Sequence, residues 1–392
     1  MMIPFAQRMS SVHRSFIREI LKVTEDPGII SFAGGLPNPD FFPVRELAAA
    51  AQQVLEKGGE SALQYSTTEG YPPLRELIAE RYTRAGVRVG AGEILIVNGS
   101  QQALDLVGKV FLDKGDTVLM ERPTYLAAIQ AFGIFEPKFC ALGLEEDGVN
   151  VAELEAALAA TSAKLFYTIP NFQNPSGISY SEEKRRQTAR LLSGSPTVLV
   201  EDDPYGELRF LGRELPPIRA LMGETSAVLL GTFSKIVSPG LRIGWVCAGR
   251  EIMERLVIAK QASDLHSNGL AQRIVHRYMS TCDVPAHIER IRTGYRVQRD
   301  LMVDLAGRLF PPEVRCTKPE GGMFLWMTLP LGTSALTLFE RALEQKVAFV
   351  PGQAFFVGGG GENTLRLNFS NSSPAAIQEG MERLARVYAA LR

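Results

Sequence analysis

The chain has 392 residues, a formal net charge of -1, and 45% hydrophobic and 22% charged residues, the profile of a globular protein long enough for two or three domains. That balance excludes a broad basic surface for nucleic acid or an anionic membrane. The four cysteines, Cys140, Cys247, Cys282 and Cys316, form no local metal motif and no disulfide scaffold, and no signal region or apolar stretch of ~20 residues is present, so the cytoplasm is the expected location.

Residues 11–23 read as a helix, with Ile17, Ile20 and Leu21 on one face and Arg14 and Arg18 spaced i,i+4. Asp26-Pro27-Gly28 breaks it. Residues 29–37 form a short strand that runs into a bend kept open by Gly34 and Gly35. Pro43 opens a helix over 44–57, and Gly58-Gly59 stop it. Residues 63–66 are extended, and Gly70-Tyr71-Pro72-Pro73 turns into a helix over 74–85.

From there strands and helices alternate. Apolar runs predict strands at 94–97, 117–120, 138–141, 165–169, 197–200, 227–230 and 244–247, with helices at 101–112, 125–132, 151–160 and 181–192. Near-continuous apolar strands in such alternation predict an α/β fold with a mostly parallel sheet covered on both faces. Ligands of such sheets bind beyond the carboxyl ends of the strands. Residues 251–278 and 286–309 read as long helices, the second long enough to span two domains. After Pro311-Pro312 strands are expected at 322–327, 348–350 and 364–369 and helices at 336–344 and 374–391, a small α+β domain. Gly358-Gly359-Gly360-Gly361 reads as a mobile loop, since no helix start follows it closely.

Several polar clusters fall at strand ends. Lys235, in Thr232-Phe233-Ser234-Lys235, sits between two apolar runs and is followed seven positions later by Arg242. A lysine at an apolar boundary loses its proton more easily and becomes an amine nucleophile. Thr232, Ser234 and Arg242 supply hydroxyls and a fork of N–H groups suited to phosphate. Together they point to pyridoxal phosphate held as a Schiff base; the plainer reading is a loop lysine at a strand edge. Asn98-Gly99-Ser100-Gln101-Gln102 follows a strand and opens a helix, which binds phosphate or is simply an N-cap. Tyr125, after Pro123-Thr124, either stacks on a planar cofactor or packs in the core.

Asn174, between Pro170 and Gly177, either donates to a phenolate oxygen or serves the turn. Glu201-Asp202-Asp203 ends an apolar strand, where a buried carboxylate needs a cationic partner. A protonated pyridine nitrogen fits, and a divalent metal is the rival. Arg366, inside an apolar strand, needs an anion, either a substrate carboxylate or a structural partner. No dinucleotide or Walker glycine pattern occurs, and the four histidines form no metal spacing. His266, in Asp264-Leu265-His266-Ser267-Asn268, reads as a surface or capping residue that could lie near the site.

Taken in order, Asn174-Pro175 to Gly177, Asp202 to Tyr205, and Ser234-Lys235 to Arg242 resemble the class I aminotransferases of the fold-type I pyridoxal-phosphate enzymes. Ser31-Phe32-Ala33-Gly34-Gly35-Leu36-Pro37, Gln64-Tyr65-Ser66, Gly99-Ser100-Gln101-Gln102 and Pro319-Glu320-Gly321-Gly322-Met323-Phe324 are similar to the α-aminoadipate/kynurenine aminotransferase branch. The resemblance covers essentially the whole chain. It implies a large domain with a seven-stranded, mostly parallel sheet over 46–285, a small domain over 286–392, and an N-terminal helix and segment, 1–45, joining the small one.

It also implies roles. Lys235 is the Schiff-base lysine, Asp202 pairs with the pyridine N–H, Tyr205 and Asn174 contact the ring 3-oxygen, and Tyr125 stacks on the ring. Ser100, Gln101, Thr232, Ser234 and Arg242 hold the phosphate. Tyr65 reaches the phosphate of a partner subunit in a homodimer. Arg366, Asn174 and the Gly35 backbone hold the substrate α-carboxylate, while Arg18, assisted by Ser15, takes a distal carboxylate. The implied reaction moves an amino group from an L-amino acid (2-aminoadipate, glutamate, aromatic or branched-chain) to a 2-oxo acid such as 2-oxoglutarate, by ping-pong exchange, with no metal. The rivals are a lyase or decarboxylase on the same fold, a ligand-sensing regulator domain, and a non-enzymatic binding protein. The regulator would need more residues than precede Ser31 to hold a DNA-binding domain.

Overall fold

The computed structural model describes residues 3, 5–10, 20, 26–223 and 226–391. The helix expected over 11–23, with Ser15 and Arg18, lies outside the described residues except for Ile20, which is helical and buried.

The strands, in chain order, are β1 (Ile30–Ser31), β2 (Ile94–Val97), β3 (Thr117–Arg122), β4 (Lys138–Glu145), β5 (Gly148–Val149), β6 (Ala163–Thr168), β7 (Val198–Asp202), β8 (Ala227–Thr232), β9 (Gly244–Ala248), β10 (Arg315–Cys316), β11 (Phe324–Thr328), β12 (Val347–Ala348), β13 (Val350–Pro351) and β14 (Thr364–Asn368). The large sheet has the order β2-β9-β8-β7-β6-β3-β4-β5. Its seven main strands are those expected, and the two-residue β5 extends the edge to eight by an antiparallel turn onto β4. The β4–β3–β6–β7–β8 run is parallel throughout, and β9 lies antiparallel between β8 and β2.

Side-chain alternation divides this sheet between two cores. Val118, Met120, Leu165, Tyr167, Val198 and Val200 enter the main hydrophobic cluster. Their neighbours Leu119, Phe166 and Leu199 enter the second cluster on the opposite face. Both faces are therefore dry, which explains why the strands read as unbroken apolar runs.

The parallel pairing also sets the site. β3, β6, β7 and β8 deliver Arg122, Thr168, Asp202 and Thr232 to one edge. β2 runs the same way, because it is antiparallel to β9, which is antiparallel to β8. The turn after Val97 therefore joins that edge. β9 begins there, so Arg242, two residues before Gly244, lies at the same end.

A second sheet, β10-β11-β14-β13, is antiparallel. The β1 segment pairs in parallel with β12. Phe32 extends this tie in both directions: its N–H donates to the Ala348 carbonyl at 2.7 Å and its carbonyl accepts from Asn368 at 2.8 Å. Residues 33–35 are thereby carried to the carboxyl-end rim of the large sheet beside β14.

Two helices differ from expectation. The helix predicted to stop at Gly58-Gly59 runs Val44–Leu63, with a kink at Gly58. Packing against the helix Gly269–Thr281 holds it together across the two glycines. The predicted single helix 251–278 is two, Arg250–Asp264 and Gly269–Thr281, separated where Leu265 takes a φ of 65°. The four glycines 358–361 form a loop, all with positive φ. Among the described residues no helix is long and apolar enough to cross a membrane.

Candidate active site

At the shared strand edge lies a cavity of about 180 Å³. It is lined by Ser100, Gln101, Thr232, Ser234 and Arg242, the residues expected to hold a phosphate, and by Tyr125, Asn174, Asp202, Tyr205 and Lys235. All ten were expected from the sequence. Ile169 and Pro204 complete the lining. Their signal was only adjacency to strand ends, too weak to separate them from ordinary turn residues.

Lys235 follows β8 and is half-buried, its Nζ donating to the Gly35 carbonyl at 3.2 Å. Burial lowers its pKa to about 8, helped by the positive charges of Arg242 and Arg366 and opposed by Asp202. Asp202 ends β7 with almost no exposed surface. Its Oδ2 accepts from the Tyr167 hydroxyl at 2.8 Å, whereas its Oδ1 is buried without a partner. Burial raises its pKa to about 7; Asp203 pushes in the same direction, and Tyr167 and Lys235 hold it down. The neighbouring carboxylates are occupied elsewhere. Glu201 accepts the backbone N–H groups of Ile218 and Arg219 at 2.9 and 3.0 Å, and Asp203 that of Gly206 at 2.8 Å. Only Asp202, of the three, is left to receive a cationic N–H. Among the described residues no group of acidic, His or Cys side chains could hold a metal ion.

Around Ser100 a helix start meets side-chain hydroxyls and the Arg242 guanidinium. The helix Ser100–Phe111 starts at the cavity, so its first N–H groups and positive dipole end face inward. The buried Ser100 hydroxyl has no partner. Gly99 precedes it with φ 74° and ψ 166°, a region open essentially to glycine. A Cβ there would stand 2.6 Å from Arg242 Nη2. Arg242 itself has φ 56°, and its Nη2 donates to the Asn98 carbonyl at 3.0 Å. Thr232 Oγ1 accepts the Ser234 N–H at 3.1 Å and lies 2.8 Å from its hydroxyl, which fixes the loop leading to Lys235.

Arg366 lies on β14 across from Trp326, with its guanidinium 4.4 Å from the Phe324 ring and 5.0 Å from that of Phe355. One arm donates to Asn174 Oδ1 and the other to the Ala33 carbonyl, both at 2.7 Å, while Nε is buried without a partner. Burial lowers its pKa to about 10. Asn174 also bonds the Tyr205 side chain, whose hydroxyl burial holds in the protonated form. Asn174 therefore connects the arginine to the cavity. Gly35 stands beside Lys235, and its Cα side faces Phe324. Tyr65 is outside this cluster: it is 80% exposed and packs edge-on against His266 with ring centres 5.8 Å apart.

The donor set fits a group that carries a cationic ring N–H, a phosphate and a carbonyl carbon, for which Asp202 Oδ1, the start of the helix Ser100–Phe111 and the Lys235 amine are the matching partners. Two buried polar atoms without partners, Ser100 Oγ and Asp202 Oδ1, belong to residues that line the cavity, and Arg366, tied to it through Asn174, has a third at Nε.

Comparison with known proteins bears on this chemistry. A family model described as aminotransferase class I and II matches residues 30–384. An aromatic-amino-acid aminotransferase of Thermococcus litoralis is 43% identical over 387 residues, covering 97% of this chain and 93% of its own. A 2-aminoadipate transaminase of Thermus thermophilus is 46% identical over 385 residues, covering 97% and 96%. The crystal structure of the α-aminoadipate aminotransferase of Thermus thermophilus, complexed with N-(5'-phosphopyridoxyl)-L-leucine, matches with a TM-score of 0.92 at 46% identity, covering 99% of this chain and 97% of that one.

Proposed function

This chain belongs to the class I and II aminotransferases and is a pyridoxal-phosphate-dependent aminotransferase, and from that premise we propose how its residues divide the work and which amino acids they take. Bound in the cavity, pyridoxal phosphate supplies a carbonyl that exchanges amino groups and a ring that withdraws electrons from the substrate's α-carbon. Asp202 Oδ1 would accept the ring N–H and keep that nitrogen protonated; Tyr205 and Asn174 would hold the ring 3-oxygen, Tyr125 the ring, and Ser100, Gln101, Thr232, Ser234 and Arg242 the phosphate.

Arg366, with Asn174 and the Gly35 backbone, receives the α-carboxylate of the amino acid. Two of its arms are already fixed, so little side-chain freedom is lost on binding. Lys235 Nζ takes up the proton that leaves the donor's α-carbon and returns one when the acceptor is aminated. One site serves both halves of the exchange in turn. The buried, unpartnered Asp202 Oδ1 in the same cavity as the Lys235 amine is the observation that carries this reading.

The donors we propose are 2-aminoadipate, glutamate, and aromatic or branched-chain amino acids, with 2-oxoglutarate as acceptor. The names of the relatives from Thermus and Thermococcus support the first and third classes. Arg18, with Ser15 assisting, is assigned to the distal carboxylate of acidic donors. The enzyme is proposed to be a cytoplasmic homodimer in which Tyr65 reaches the partner's phosphate. Its large domain is assigned to 46–285 and its small domain to 286–392, joined by 1–45. Two separate sheets and the β1–β12 tie support that division.

A panel of amino donors against 2-oxoglutarate, read by the cofactor's absorbance change, tests the substrate reading. Acidic and aromatic donors are expected to turn over. Arg18→Ala is expected to lower kcat/KM for 2-aminoadipate and glutamate roughly tenfold or more, the scale of one lost charged hydrogen bond, and to spare aromatic donors. Equal kcat/KM for acidic donors in the variant would overturn the role of Arg18.

A further inference from the structure

Lys260, in the helix Arg250–Asp264, has no exposed side-chain surface. Its Nζ donates to both carboxylate oxygens of Asp264 at 2.8 and 2.9 Å, and to Gln102 Oε1 and Ser267 Oγ at 3.1 Å each. Asp264 Oδ2 also accepts from Asn98 Nδ2 at 2.7 Å and from Gln102 Nε2 at 2.8 Å. The Asn98 N–H closes the loop by donating to Gln102 Oε1 at 2.8 Å. A buried ammonium needs such full pairing.

The partners of the pair are not spread over the fold. Asn98 and Gln102 bracket Ser100 and Gln101, the residues that open the helix at the cavity. Arg242 grips the same turn from the other side, through the Asn98 carbonyl. Ser267 ties the preceding strand, its hydroxyl lying 3.3 Å from the Ile96 carbonyl. The chain break at Leu265, with its φ of 65°, brings Asp264 and Ser267 to Lys260 together.

We propose that Lys260 and Asp264 are positioning residues for cofactor binding: the buried ammonium and its half-buried carboxylate partner lock the turn Asn98–Gln102 so that its N–H groups and the Ser100 hydroxyl meet the phosphate. This rests on the assignment of the phosphate to that helix start. Their loss acts on how tightly the cofactor is held, through a turn that otherwise shifts away from Arg242.

The test is the dissociation constant of pyridoxal phosphate for the full chain and for Asn98→Ala, Asp264→Asn and Asp264→Ala, with melting temperatures of apo and holo forms. Asn98→Ala removes one bond to the pair at a half-buried position and leaves Lys260 paired, so it serves where the Asp264 variants fail to fold. The expected result is a roughly tenfold higher dissociation constant in Asn98→Ala, the scale of one lost hydrogen bond to a charged group. Asp264→Ala is expected to weaken binding further, and Asp264→Asn, which keeps an acceptor toward Asn98 and Gln102, less than Asp264→Ala. The gap between holo and apo melting temperatures shrinks accordingly, and the phosphorus NMR signal of bound cofactor shifts. An apo melting temperature that falls while the dissociation constant and phosphorus signal stay at wild-type values overturns the inference. Wild-type protein that takes up no pyridoxal phosphate overturns the underlying phosphate assignment and this inference with it.

Discussion

At the scale of single residues the site turns on the proton affinity of Lys235. Partial burial, with the positive charges of Arg242 and Arg366, lowers its pKa to about 8, below the ordinary lysine range. A folded-state pKa below the ordinary value means the protein favours the neutral form. The rate at which apoprotein captures pyridoxal phosphate should therefore rise with pH through about 8 and level above it. Stopped-flow absorbance at a series of pH values measures this, and a rate unchanged across that range would contradict it. The lysine was legible in the sequence because hydroxyls and an arginine surround it between two apolar runs. Asp202 was legible as one of three acids at a strand end, and the structure singles it out by occupying its neighbours with backbone donors. Tyr167, which holds Asp202 from the other oxygen, gave no such signal. In the sequence it is one more apolar residue in a buried strand. Lys260 was equally silent, since a lysine in an amphipathic helix is ordinarily solvated.

Among the elements, the turn from β2 into the helix Ser100–Phe111 places a conformational and a steric demand on one residue beside the cavity. Gly99 combines a positive φ with a backbone so close to Arg242 that a methyl group has no room. Gly99→Ala is expected to cost about 1–3 kcal/mol of stability from the backbone conformation alone. It should also weaken pyridoxal phosphate binding, because Arg242 must move. Denaturant unfolding together with a cofactor titration checks both, and wild-type values in both would contradict the account of the turn. Element existence was well read from apolar periodicity, whereas two helix boundaries were not. Gly58 is bridged because the helix on either side packs against a neighbour, so local propensity lost to tertiary contact. Residues 265–268 carry neither proline nor glycine, but all except Leu265 are polar and Asn268 caps the second helix by accepting the Ala271 N–H at 2.9 Å, a signal that the reading of one helix over 251–278 passed over. The polar cluster around Lys260 adds Asn98 and Gln102, more than 150 positions away, and that part leaves no local trace.

For the whole molecule, the sheet order converts sequence distance into one active edge. Five parallel-running strand ends bring residues from position 98 to position 235 together, and β9 returns Arg242 to them. The β1–β12 pairing and the Phe32 bonds add the carbonyls of Ala33 and Gly35. Tyr65 is exposed, packs edge-on against His266 and does not line this chain's cavity, and the proposed homodimer assigns it to the partner's phosphate. Mixing chains that carry Lys235→Ala with chains that carry Tyr65→Ala tests the proposed dimer. A hybrid contains one site with a native lysine from one subunit and a native tyrosine from the other. Activity in the refolded mixture should therefore exceed that of either parent. Activity that only averages the parents would contradict the exchange of Tyr65 between subunits.

The central claim is that Lys235 is the residue to which the cofactor is covalently attached. Borohydride reduction of the holoenzyme followed by peptide mass mapping tests it most directly. The account predicts one phosphopyridoxyl group per chain, on Lys235, and none in Lys235→Ala. Labelling of another lysine, or no labelling of the coloured wild-type protein, would contradict it.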